Sequence, residues 1–133
     1  MYTHKVQYYE TDKMAITHHS NYIRWMEEAR VDFLEKIGFG FDTLEAKGIM
    51  SPVLEIHSVY KKPSVFAEEI DIDVFVKEFK GLKVTIGYEM KNKKGEAVLE
   101  GSSVHCFMTP QGRPVRVEKD FPDFYNALMS HIR

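Results

Sequence analysis

The residues best suited to chemistry lie in segment 8–22, directly before the strongest helical signal of the chain. Asp12, His18 and His19 fall at or near the amino end of the predicted helix, where the helix dipole is positive. Unpaired backbone N–H groups at a helix start stabilise negative charge that develops on a carbonyl oxygen. A neighbouring carboxylate can attack that carbonyl or orient a water molecule. The segment therefore suits attack on a carbonyl, and the alternative is that Asp12 only caps a loop.

The helix that would position these groups is predicted over residues 21–37, because large apolar residues recur there at spacings of three or four. The apolar stripe comprises Tyr22, Met26, Ala29, Phe33 and Ile37, widened by Ile23, Trp25 and Leu34. Ser20 or Asn21 can supply a capping oxygen, and Gly38 suits the position after the end. At a rise of ~1.5 Å per residue, this helix crosses a small domain.

Period-two alternation predicts the other elements. We expect strands over residues 2–10, 50–62, 69–77, 82–91 and 97–108, short helices over 42–48 and from 121, and an extended piece at 115–117. Because the turns at 78–81 and 92–95 are short, the strands they join should pair antiparallel. Only the long helix is large enough to cover the sheet. The sequence predicts an α+β fold in which a curved antiparallel sheet wraps one central helix.

Composition indicates one ordinary globular domain, residues 1–133. The net charge of −2 and the pI of about 6.3 give no global field that would attract nucleic acid or an anionic membrane. No apolar run approaches the ~20 residues of a membrane span. The single Cys106 cannot form an internal disulfide, and the amino terminus has no signal-peptide pattern, so a cytoplasmic location is expected.

Residues 9–22 read YETDKMAITHHSNY and resemble the 4-hydroxybenzoyl-CoA thioesterase family of the hotdog fold. The family pattern is an aromatic strand, Asp/Glu-Thr-Asp, a small-residue loop, an apolar pair, His, and Asn-Tyr opening the helix. The resemblance continues through Arg24, Trp25, Glu28, Ala29 and Arg30, and more loosely through Lys62-Pro63. Two positions depart from the pattern, since Ala15 stands where Gly is usual and Thr17 where an apolar residue is usual.

The resemblance implies hydrolysis of an acyl-CoA to a free acid and CoA, with Asp12 as nucleophile or general base and the helix start polarising the carbonyl. His19 either positions the thioester or caps the helix against a neighbouring subunit. Glu28 is a reserve catalytic candidate, and the alternative is that Arg24–Glu28 and Glu27–Arg30 are ordinary surface pairs. Other readings are an acyl-acyl carrier protein thioesterase and a noncatalytic acyl-thioester-binding protein.

Substrate-binding candidates are Thr17, His18, Asn21, Tyr22, Val59, Tyr60 and Lys62. The CoA phosphates require basic groups, and the candidates are Lys61, Lys62, Lys83, Arg113 and Arg116, each of which could instead be an ordinary surface charge. No ligand spacing indicates a metal, so we expect no metal and no cofactor besides the CoA of the substrate. Cys106 should be a buried structural thiol. Exposed sheet edges predict a homodimer or homotetramer, and the resemblance implies that the site lies between subunits.

Overall fold

The computed structural model describes residues 1–133 and is built around one long helix, α1, which spans Ser20–Lys36. Trp25, Met26 and Ala29 on its inner face are fully buried against the sheet. The predicted helix is confirmed. The apolar stripe is narrower than expected, because Ile23 is 45% exposed.

A five-stranded sheet wraps α1, and every neighbouring pair of strands is antiparallel. The strands are β1 (Tyr2–Lys5), β2 (Val53–Tyr60), β3 (Glu69–Lys80), β4 (Lys83–Asn92) and β5 (Ala97–Cys106). Their spatial order is β1-β3-β4-β5-β2, so β1 and β2 form the two edges. The short helices are α2 (Phe41–Ala46), α3 (Val117–Asp120) and α4 (Pro122–Met129). The predicted α+β architecture is confirmed, and none of these helices is long and apolar enough to cross a membrane.

Several predicted bounds are wrong: β2 is shorter than the expected 50–62, and β3 runs on to Lys80 through most of the turn predicted at 78–81. Strand β1 ends at Lys5 rather than at residue 10, because residues Tyr8–Glu10 form a 3₁₀ turn that carries the Glu10 side chain into the core. Strand β5 ends at Cys106 rather than at residue 108. The Cys106 thiol, which is expected to be buried, is only half-buried. The extended piece expected at 115–117 is found only in part: the Val115 N–H donates to the Phe107 carbonyl at 2.9 Å and Arg116 is extended, but Val117 already begins α3.

A buried polar chain runs beneath α1. Arg30 donates to the Tyr88 hydroxyl at 3.2 Å, that hydroxyl lies 2.7 Å from Ser103 Oγ, and Ser103 Oγ lies 2.6 Å from His105 Nε2. The predicted surface pair of Arg30 with Glu27 is therefore wrong, because the guanidinium points into the core. Burial lowers the pKa of His105 to about 4, and the positive charge of Arg30 acts in the same direction.

His105 should make the protein less stable as the pH falls from about 6.5 to about 4. In that range the unfolded histidine binds a proton that the folded one does not, so the free energy of unfolding decreases, by up to about 3 kcal/mol in total. His105→Asn should flatten this dependence in urea titrations at several pH values. His57→Asn, at a histidine whose side chain is 70% exposed, is the control and should keep the wild-type slope. Equal slopes in wild type and His105→Asn would contradict the assignment.

Candidate active site

A closed loop carries Asp12. Thr11 and Thr17 pair as an antiparallel bridge at its base, and Asp12 N–H donates to the Ile16 carbonyl at 2.9 Å. Asp12 Oδ1 accepts the Met14 N–H at 2.8 Å, which is the capping interaction considered as the alternative role. Oδ2 has no hydrogen-bond partner in the chain. The carboxylate therefore shapes the loop with one oxygen and leaves the other available for chemistry.

The two departures from the family pattern are both accommodated. Ala15 has φ = +64°, which is the left-handed conformation. Glycine adopts this conformation without strain, whereas it costs roughly 1–2 kcal/mol for a residue with a Cβ. The Thr17 hydroxyl lies 2.6 Å from the buried Ser64 Oγ, which in turn lies 2.9 Å from the Tyr22 hydroxyl. The loop therefore keeps a glycine-type backbone at residue 15, and the polar atom introduced at residue 17 is satisfied.

The start of α1 leaves one backbone donor free. Neither predicted cap forms, because the Ser20 hydroxyl lies 2.9 Å from His18 Nδ1 and the Asn21 side chain donates to the Glu10 carbonyl at 2.9 Å. The Ser20 N–H donates to His18 Nδ1 at 3.2 Å. The Asn21 N–H bonds to the His18 carbonyl at 3.0 Å. The N–H of His19 has no acceptor in the chain. It is therefore a donor ready for an external oxygen at the positive end of the helix.

A cavity of about 290 Å³ brings these groups together. Its walls are Asp12, Ile16, Thr17, His19, Tyr22, Tyr60, Lys61, Lys62 and Pro63. The Tyr22 and Tyr60 rings pack with centroids 5.5 Å apart. The lining thus combines one carboxylate, one histidine with a free backbone N–H, two aromatic rings and two lysines.

Three predicted site residues do not line this cavity. Val59 lies on the opposite face of β2 from Tyr60, because neighbouring strand residues point to opposite sides, and it lines a separate groove. His18 is exposed, with its ring stacked on His19 at 4.3 Å. The Asn21 side chain is buried against the Glu10 backbone instead of facing the cavity.

The predicted phosphate-binding groups divide between the two ends of the sheet. Lys61 and Lys62 lie at the cavity, where Lys62 Nζ is 2.7 Å from Glu96 Oε2. Lys83 pairs with Cys106 of β5, whereas Tyr60 pairs with Leu99 of the same strand. Cys106 and Leu99 are seven residues apart, which corresponds to roughly 23 Å along the strand. Arg116 lines a groove at that far end. Of the five predicted groups, only Lys61 and Lys62 line the Asp12 cavity.

Glu28, the reserve candidate, lies outside the cavity. Its Oε2 accepts from the Tyr2 hydroxyl at 2.9 Å and lies 2.9 Å from His4 Nδ1, so the predicted pairing with Arg24 is wrong. Sequence reasoning missed His4 as its partner, because the two are 24 positions apart. No group of three or more His, Cys, Asp or Glu side chains is gathered as a metal site.

Comparisons with known proteins agree with this geometry. Residues 6–128 match the model of the "Thioesterase-like superfamily". A Bacillus subtilis protein named "Putative acyl-CoA thioesterase YneP" is 36% identical over 124 residues, 92% of this chain and 90% of that protein. A DHNA-CoA thioesterase structure from Staphylococcus aureus is 33% identical, with a TM-score of 0.89 over 97% of this chain and 87% of that one. The hypothetical protein TT1821 from Thermus thermophilus is 32% identical, with a TM-score of 0.88 over 98% and 97%.

The antiparallel sheet wrapped on one long helix is the hotdog fold, and the protein is a thioester hydrolase of that fold. The chain belongs to the thioesterase-like superfamily. The predicted resemblance, fold and enzyme class are thereby confirmed.

Proposed function

We propose that the protein hydrolyses an acyl-CoA to a free carboxylic acid and CoA, using Asp12. The observation that carries this proposal is the shared cavity of about 290 Å³ that both Asp12 and His19 line. The unpaired Oδ2 of Asp12 and the free N–H of His19 supply an attacking or activating group and an electrostatic donor. No bound cofactor is needed, because water is the second reactant.

In the proposed reaction, the thioester carbonyl oxygen accepts the His19 N–H while Asp12 either attacks the carbonyl carbon or removes a proton from the attacking water. Negative charge then develops on the carbonyl oxygen beside the positive end of α1, which lowers the barrier. Collapse of the tetrahedral species breaks the carbon–sulfur bond, and the CoA sulfur leaves as a thiolate that takes up a proton. With Asp12 as nucleophile, water hydrolyses the resulting anhydride in a second step.

CoA is favoured as the thiol by the two lysines at the cavity, since ammonium groups pair with phosphates. Lys61 is the freer of the two, because its Nζ is 3.9 Å from Glu100 while Lys62 is held by Glu96 at 2.7 Å. The Bacillus subtilis and Staphylococcus aureus relatives are both named for CoA thioesters. Pantetheine-linked carrier proteins remain the second candidate thiol.

The test is release of free thiol from short, medium, long and aromatic acyl-CoAs, with an acyl-acyl carrier protein in parallel. Turnover of at least one acyl-CoA, faster than that of the carrier-protein thioester, is expected. Faster turnover of the carrier-protein substrate would replace CoA by the carrier as the thiol. Saturable binding of acyl-CoA without any thiol release would identify a noncatalytic binding protein instead.

We also propose that the protein assembles at least as a dimer through β2. This edge strand carries apolar side chains on both of its faces that are each 45–55% exposed, namely Val53, Leu54, Val59 and Tyr60. An eight-residue edge with free backbone groups and apolar side chains is a template for pairing with a second copy. Tyr60 also lines the Asp12 cavity, so such pairing would place the site beside the interface.

Val59→Lys should shift the mass in solution towards that of a single chain, 15.5 kDa, because a lysine on the edge strand β2 opposes its pairing with a second copy. Sedimentation equilibrium measures this directly. Leu82→Lys, at an apolar residue that is 37% exposed in the β3–β4 turn, is the matched control and should keep the wild-type mass. A wild-type mass of one chain would refute the assembly.

The cytoplasmic location stays a prediction that rests on the lone Cys106.

A further inference from the structure

The carboxylate of Glu10 is buried, 3% exposed, and takes no part in the proposed reaction. It accepts three hydrogen bonds, from Trp25 Nε1 at 2.7 Å, from the Gln7 N–H at 2.8 Å and from His4 Nε2 at 2.8 Å. Burial raises the pKa of this carboxyl, but the bonds from Trp25, Gln7 and His4 outweigh that effect and hold the pKa below its usual value. The group is therefore a fixed anion that joins β1 to α1.

The backbone of Glu10 is equally engaged. Its carbonyl accepts the His18 N–H at 2.8 Å and the Asn21 side-chain amide at 2.9 Å. In the sequence these two donors lie on either side of His19, which lines the cavity and whose N–H is free, and Asp12 follows Glu10 by two residues. Glu10 thus contacts both the segment that carries the Asp12 carboxylate and the segment that carries the free His19 N–H.

His4 bridges two carboxylates. Its two ring nitrogens lie 2.8 Å from Glu10 Oε1 and 2.9 Å from Glu28 Oε2. The ring also packs on Trp25, with centroids 4.4 Å apart. A buried carboxylate left without its partner is strongly destabilising, so this arrangement favours a single position for Glu10.

We propose that Glu10 is a positioning residue, which fixes the distance between the Asp12 carboxylate and the free His19 N–H, with His4 as its hydrogen-bonding partner. The proposal rests on the proposed function, in which these two groups act on one thioester. A misplacement of about 1 Å in such a site can lower the rate about 10²-fold. Glu10 touches no wall of the cavity with its side chain, so its loss should change kcat and leave substrate affinity nearly constant.

The test compares Glu10→Gln with Glu78→Gln, the same change at an exposed residue of β3 that has no side-chain partner. For thiol release, Glu10→Gln should lower kcat about 10- to 100-fold with KM changed by less than about threefold. Amide hydrogen exchange should quicken in segment 11–18 and stay unchanged in β4. Glu78→Gln should match wild type in both measurements.

Unchanged kcat together with unchanged loop exchange would overturn the proposal, and so would exchange that quickens equally throughout the sheet. If Glu10→Gln does not fold, His4→Gln is measured in the same way, because glutamine keeps a donor for Glu10 but removes the ring that bridges Glu10 and Glu28. The exchange result does not depend on turnover. A wild-type protein that releases no thiol would therefore refute the proposed function alone, while the loop measurement still decides the role of Glu10.

Discussion

Asp12→Asn should lower kcat for thioester hydrolysis by at least about 10²- to 10⁴-fold, the usual contribution of general-base assistance. Asparagine keeps the shape of the side chain and an oxygen that can accept the Met14 N–H, so the loop should persist. It removes the negative charge and the basicity of the unpaired Oδ2. The effect should therefore appear in kcat, with little change in the affinity for the acyl-CoA.

Thiol release under saturating acyl-CoA measures kcat, and far-UV circular dichroism confirms that the variant is folded. Asp123→Asn, at an exposed residue of α4, is the matched control and should retain wild-type turnover. A folded Asp12→Asn protein with wild-type kcat would remove Asp12 from the mechanism. The role would then have to pass to another group in or near the cavity.

Trp25→Ala should lower the free energy of unfolding by about 3–5 kcal/mol, a large part of the ~5–15 kcal/mol typical of a domain. Trp25 is fully buried between α1 and the sheet, with its ring against His4 and Tyr22. Truncation leaves a cavity and also takes a donor from the buried Glu10 carboxylate. The alanine variant therefore loses both the packing of the ring and a hydrogen bond to the Glu10 carboxylate.

Trp25→Phe separates the two effects, because it keeps most of the ring and removes only the N–H donor. It should cost about 1–3 kcal/mol. Urea unfolding followed by circular dichroism is the suitable measurement, since Trp25 is the only tryptophan and fluorescence is lost in both variants. Equal stabilities for the alanine and phenylalanine variants would show that ring packing contributes little.

Local periodicity was sufficient for most of the fold. The apolar spacing of residues 22–34 predicted α1, and alternation predicted the paired strands around the turns at Gly81 and Gly95. The end of β1 was mispredicted because residues 2–10 are rich in strand-favouring types. The Glu10 side chain, held by a tryptophan 15 positions away, outweighs that local preference.

The candidate site was only partly predictable. Asp12 and His19 could be placed because both are near one helix start, and the structure brings them to one cavity. Val59 was assigned to the same cavity as Tyr60, although strand alternation already separates neighbours. The pairing of His4 with Glu10 and Glu28 could not be predicted, because such contacts depend on how β1 packs beside α1.

The unpaired carboxylate oxygen of Asp12 has a consequence for the end of the proposed catalytic cycle. A thioester group enters the cavity uncharged, whereas the acid formed from it ionises at neutral pH. The new anion then lies beside Asp12 inside a cavity of about 290 Å³, and like charges at close range repel. Hydrolysis would thus generate its own driving force for release of the acid, and the free acid should be a poor inhibitor compared with an uncharged amide of the same acyl group.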